Sequence, residues 1–196
     1  MKRTLLLFVS FIFMQSNYAQ QRVKVQAIEV DTSFDAVSRA KLQQAVKVLD
    51  SILNCEAFAQ KVLQTNFKIG NHGLTNTQIL ELIRSGADNY KDKPKDYSID
   101  IRVAVFDPYA GYGNFGTTNM TTRITSTHRC FILNSEIQCY ISHLAHEYMH
   151  QIGFYDEKKW ALGTKTESVP YKIGNIVKAL IGGKAPCVAQ KQTFTK

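Results

Sequence analysis

Residues 143 to 156 read HLAHEYMHQIGFYD, and they restrict the architecture more than any other stretch of the chain. His146 and His150 are four apart, so on a helix they are displaced by only about 40° and both imidazoles reach one point in space. Ile141, Leu144, Ala145 and Met149 repeat at helical spacing through the same stretch, which predicts a helix from about Cys139 to Ile152. Gly153 comes three residues after His150 and Asp156 six after it. A glycine at that position takes left-handed backbone, stops the helix and swings the chain back beneath the histidines, which brings Asp156 to the same point.

His146, Glu147 and His150 form an H-E-x-x-H pattern. In that arrangement two histidines hold zinc, the metal acidifies water and polarises a carbonyl, and the carboxylate handles the proton as general base. Asp156 is the leading choice for a third ligand, with Glu167 downstream as the alternative and Glu157 one register away. His143, three residues before His146, reads as a capping or hydrogen-bonding histidine. The competing reading of the whole motif is a helix with polar surface histidines. His72 and His128 lack partners at metal-ligand spacing and read as surface or supporting residues.

Around this motif the patterning alternates between strand and helix. Residues 22 to 30, RVKVQAIEV, alternate in a loose period of two and predict a first strand. In the following DTSF, Thr32 is placed to cap a helix with Asp35 three residues on. Phe34, Val37, Leu42, Ala45, Val46, Leu49, Ile52 and Leu53 share one face of that helix, which should break near Cys55 before a second stretch to Val62. A short helical pattern follows Thr75-Asn76, and ADNYKDKPKDY reads as a charged surface loop. SIDIRVAVF, residues 98 to 106, alternates cleanly and predicts a central strand. Residues 107 to 119 are rich in Gly, Tyr and Asn and predict irregular backbone. MTTRITSTHRCFILN, residues 120 to 134, then returns to β-branched residues, with Thr125 and Thr127 suggesting an exposed edge strand. A last helix is expected from Lys172 to Ile181, closed by Gly182-Gly183. The order of elements is an α+β arrangement.

The exposed edge around Thr121 to Thr127 could pair with an extended peptide by strand addition, with Tyr109, Tyr112 and Phe115 as pocket walls; the other reading of these aromatics is ordinary core packing. Glycines 111, 113 and 116 form no phosphate cradle, because no strand feeds them into a helix.

The chain opens MKRTLLLFVSFIFMQSNYAQ, with two cations, an apolar run from Leu5 to Met14 and a small-residue end at Ala19. This is the layout of a secretory signal peptide over residues 1–19, with an apolar run too short to span a bilayer. The expectation is a secreted or periplasmic protein with no membrane span. Residues 20–196 would then form a single domain. The formal net charge of +8 falls by two with Lys2 and Arg3, and the remaining cations are scattered. Scattered basicity means a solvated surface and no nucleic-acid partner, though an anionic polymer could be attracted. Cys55, Cys130, Cys139 and Cys187 are an even set in an exported chain, which predicts two disulfides with three possible connectivities. Cys130 with Cys139 would pin the motif helix to the sheet and leave Cys55 with Cys187.

The run HEYMHQIGFYD resembles the metzincin clan of zinc peptidases, whose pattern is H-E-x-x-H-x-x-G-x-x-H, with Asp in the last position in the snapalysin group. The resemblance implies a zincin fold, α+β with a mixed twisted sheet, a long N-terminal helix, an active-site helix and a C-terminal helix. It implies one zinc ion held by His146, His150 and Asp156, with Glu147 as general base. Two departures are visible. No methionine follows Met149, where the clan carries a methionine turn, and ESVPYKIG, residues 167 to 174, stands in that place. Its Ser168 and Tyr171 are similar to residues flanking that methionine in some members, which makes Tyr171 an oxyanion stabiliser or, equally, a residue closing a core-facing loop. The resulting expectation is a secreted, monomeric zinc metalloendopeptidase acting on a peptide or protein substrate. The alternatives are a catalytically inactive protein of this fold that binds a protein or cell-surface ligand, and a basic polyanion binder.

Overall fold

The computed structural model describes residues 21–91, 96–107, 115–156 and 167–182. Among these residues the chain forms six helices and one four-stranded mixed sheet. The expected signal peptide, Tyr109, Tyr112, Glu157 and Cys187 lie outside the described residues.

The first strand, β1 (Lys24–Glu29), pairs in parallel with β2 (Ser98–Phe106), and β2 pairs in parallel with β4 (Ile124–His128). β3 (Gly116–Asn119) runs antiparallel on the outer side of β4, giving the order β1-β2-β4-β3. β2 is central, as its alternation predicts, with Ile99, Ile101, Val103 and Val105 all buried. The edge strand differs from the sequence reading. Thr125 and Thr127 on β4 are 0% and 1% exposed, and the exposed edge is β3, inside the stretch expected to be irregular. β-Branched polar residues mark an edge only when nothing covers them; here side chains of the motif helix bond their hydroxyls.

Three helices fill the connection from β1 to β2. In α1 (Ala36–Leu53) the buried Ser38, Leu42, Ala45, Leu49 and Leu53 recur at three- and four-residue spacing, as a half-buried helix requires. The helix is capped by Asp35, which accepts from the Ser38 N–H, and not by Thr32. The preceding residues are tied to the sheet instead, since the Val105 N–H donates to the Ser33 hydroxyl. α2 (Glu56–Gln64) follows the expected break, and the Cys55 sulfur caps it by accepting from the Phe58 N–H. α3 (Asn76–Arg84) carries a Thr75–Gln78 capping box.

β4 stops at His128, whose Nδ1 accepts from the Cys130 N–H and starts α4 (Arg129–Asn134), where the sequence reading continued the strand. Cys130 therefore rides on a helix. Cys139 is disulfide-bonded and Cys55 is a free thiol, so the bridge expected from Cys55 is not formed.

The motif helix α5 (Ile137–Gln151) is buried nearly all round, packed against the sheet, α1 and α6. α6 (Val169–Leu180) begins earlier than expected, with Ser168 at its N-cap and Pro170 in its first turn. Gly174 on α6 lies so close to α5 that an added Cβ would sit 3.0 Å from the Ser142 carbonyl and 3.3 Å from the His146 Cβ. One hydrophobic core joins the sheet and the helices. No helix among the described residues is long and apolar enough to cross a membrane.

Candidate metal centre

The site is built on the end of α5. Gly153 has φ +106°. Its N–H donates to the His150 carbonyl at 3.0 Å and the Phe154 N–H donates to the Met149 carbonyl at 2.9 Å, the paired bonds of a Schellman turn. Phe154 and Met149 are both fully buried, which supplies the apolar contact such a turn uses. The reversed chain then works on the histidine it has just left, because the Phe154 carbonyl lies 2.7 Å from His150 Nδ1. A carbonyl only accepts, so Nδ1 carries the proton and the neutral ring presents a bare Nε2.

His146 Nε2, His150 Nε2 and Asp156 Oδ2 form a triangle with edges of 3.1, 3.4 and 3.4 Å. These are the residues among those described that could hold a metal ion. Tetrahedral zinc, with bonds of about 2.0–2.2 Å, holds its ligand atoms about 3.3–3.6 Å apart. Donor types and spacing both fit such an ion. Burial pushes the Asp156 carboxyl up, but hydrogen bonds and charge from His146 and His150 outweigh it and hold the group well below the usual carboxylate range. Burial pulls His150 down, and Asp156, Glu147 and the Phe154 carbonyl together raise it. The other Asp156 oxygen, Oδ1, accepts from the Ser168 hydroxyl at 2.8 Å.

Glu147 is 4% exposed, a buried carboxylate. Its Oε2 accepts from Thr118 Oγ1 at 2.6 Å, and its Oε1 lies 4.0 Å from His146 Nε2 and 3.6 Å from His143 Nδ1. Thr118 belongs to edge strand β3, directly across from Thr125, and their hydroxyls are 2.7 Å apart. Gln151 Nε2 donates to Thr125 Oγ1 and to the Arg102 carbonyl of β2. A buried polar chain thus runs from the carboxylate through β3 and β4 to the centre of the sheet. His143 bonds Thr127 through Nε2 at 3.1 Å, the hydrogen-bonding role its position suggested. Burial pushes its pKa down to about 4, against the pull of Glu147.

The remaining sequence candidates separate. Tyr171 packs its ring edge-on to His146, with centroids 4.6 Å apart, and burial followed by the charges of Asp156 and Glu147 raises its hydroxyl pKa. Glu167 is engaged by Lys172 at 3.1 Å and Lys68 at 3.7 Å, away from the triangle. Phe115 stacks on Phe131 at 4.4 Å against the core, as an ordinary core aromatic would.

Sequence reasoning did not find Thr118, the Ser168–Asp156 bond or the support beneath Gly153. There His72 Nε2 lies 3.0 Å from the Gly153 carbonyl and stacks on Tyr90, whose ring fills the space a Gly153 Cβ would need. Each contact comes from a distant segment, so no local pattern announces it. Comparison with family models, curated proteins and solved structures finds no match for this chain.

Proposed function

We propose that this protein is a secreted zinc metalloendopeptidase of metzincin type. The observation that carries the reading is the convergence of His146, His150 and Asp156 with the buried Glu147 carboxylate beside them. Bound zinc would supply a Lewis acid that polarises a carbonyl and acidifies water. His146, His150 and Asp156 are the side chains that would hold the ion. Glu147 accepts the proton of the attacking water on Oε1, while Thr118 fixes Oε2, and it returns the proton to the departing amine. Tyr171, against His146, is the side chain placed to donate to the developing oxyanion. The exposed edge of β3 offers backbone groups to an extended peptide.

The α+β order and the glycine turn after α5 support the likeness to the clan. The missing methionine turn is met here by Ser168 at the start of α6, which contacts Asp156. Export rests on the amino-terminal signal pattern.

The test is incubation of the zinc-loaded protein with a mixed peptide library, read by mass spectrometry beside Glu147→Ala. The wild type should cleave, and the variant should keep zinc and lose about 10²–10⁴-fold in rate. A zinc-loaded wild type that cleaves nothing would instead favour a binding protein on this fold.

A further inference from the structure

Ser168 stands at the N-cap of α6 with an extended backbone, φ −71° and ψ 159°, the position from which a serine hydroxyl normally accepts from the first turn of its own helix. It makes no such capping bond. Its hydroxyl donates across a gap of twelve residues to Asp156 Oδ1 at 2.8 Å. The residue is fully buried, and its backbone is clamped by a parallel bridge to Ile69. Neither the direction of the hydroxyl nor the site of the residue is thus left to solvent or to side-chain freedom.

The consequence falls on the carboxylate. With Oδ1 engaged, Asp156 presents a single oxygen, Oδ2, equidistant at 3.4 Å from the two histidine nitrogens. An aspartate without that bond can rotate about its last torsion and offer either oxygen or both. We infer that Ser168 is a positioning residue for metal binding, which gives up its helix-capping bond to fix Asp156 as a one-oxygen ligand and so ties the start of α6 to the metal centre. This inference rests on the zinc reading of the site. It assigns a role to a residue that neither the motif nor the proton transfer includes.

A purely structural serine and a ligand-positioning serine predict different outcomes. Zinc affinity is measured by competition with a chelator of known affinity, and the melting temperature is recorded for the metal-free protein, for wild type, Ser168→Ala and Ser168→Thr. Ser168→Ala should weaken zinc binding about 10–100-fold, the usual cost of losing a hydrogen bond to a ligand. Its metal-free melting temperature should fall only by the few degrees that the lost Asp156 hydrogen bond accounts for, since no capping bond goes with it. Ser168→Thr, which keeps the hydroxyl, should recover most of the affinity. Equal zinc affinity for wild type and Ser168→Ala would overturn the inference alone, as would a Ser168→Ala protein that fails to fold without metal. A wild type that takes up no zinc would overturn both this inference and the zinc reading beneath it.

Discussion

Glu147 carries two oxygens with different neighbours, and the difference defines its use. Oε2 is held by Thr118, while Oε1 faces His143 and His146. Replacing Thr118 by valine keeps the shape of the side chain and removes the donor. The substitution should lower kcat about 10–100-fold with KM and zinc affinity little changed, and Thr118→Ser should restore most of the rate. His143 belongs to the same cluster and gives a stability prediction. Its folded pKa, about 4, lies below the ordinary histidine value, so the unfolded chain binds the extra proton first. Stability from this residue is therefore complete above about pH 6.5 and is lost as pH falls toward 4, by on the order of 3 kcal/mol. Denaturant unfolding of metal-free wild type and His143→Gln across that window should show the wild type alone losing this increment. At this scale the sequence shows His146, Glu147, His150, Gly153 and Asp156, because helical spacing and one glycine place them locally. It does not show Thr118, which reaches Glu147 only through the register of the β3–β4 hairpin.

The turn closing α5 does two jobs, ending a helix and orienting a ligand. Gly153 sits at φ +106°, and an added Cβ would lie 2.7 Å from Tyr90 Cδ1. Gly153→Ala should therefore cost about 1–3 kcal/mol of stability and weaken zinc binding, since the Phe154 carbonyl that orients His150 moves with the turn. Thermal melting and chelator competition on the variant check the two parts separately. Most elements are legible from periodicity: β1, α1, the break at Cys55, β2 and α5 all stand where apolar spacing puts them. The misread elements share a physical cause. β4 looks like an edge because threonine is polar, yet His143 and Gln151 of α5 satisfy its hydroxyls. α4 looks like more strand because Phe131, Ile132 and Leu133 are apolar without a long helical period, and the cap that starts it is a histidine. Cys55, expected in a disulfide, is a free thiol whose sulfur caps α2, a role that no spacing of cysteines announces.

At the scale of the molecule, the candidate metal centre lies where three elements meet: the β3–β4 edge through Thr118, the α5 turn through His150, and α6 through Ser168. An ion bound there would tie Asp156 back to the two α5 histidines, and through the hydrogen bonds of Glu147 and Asp156 it would brace β3 and α6 as well. Chelation should therefore lower the melting temperature, by the equivalent of about 4 kcal/mol where free zinc exceeds its Kd about a thousandfold, and the effect should vanish in Asp156→Ala. In the proposed function, two histidines and one carboxylate of this chain hold a single zinc ion. X-ray absorption at the zinc edge, on the zinc-loaded protein, tests it most directly. The expected result is one zinc per chain with two imidazole nitrogens and light oxygen donors at about 2.0–2.2 Å, and no sulfur. A zinc–sulfur shell near about 2.3 Å, or a spectrum unchanged by Asp156→Ala, would contradict it.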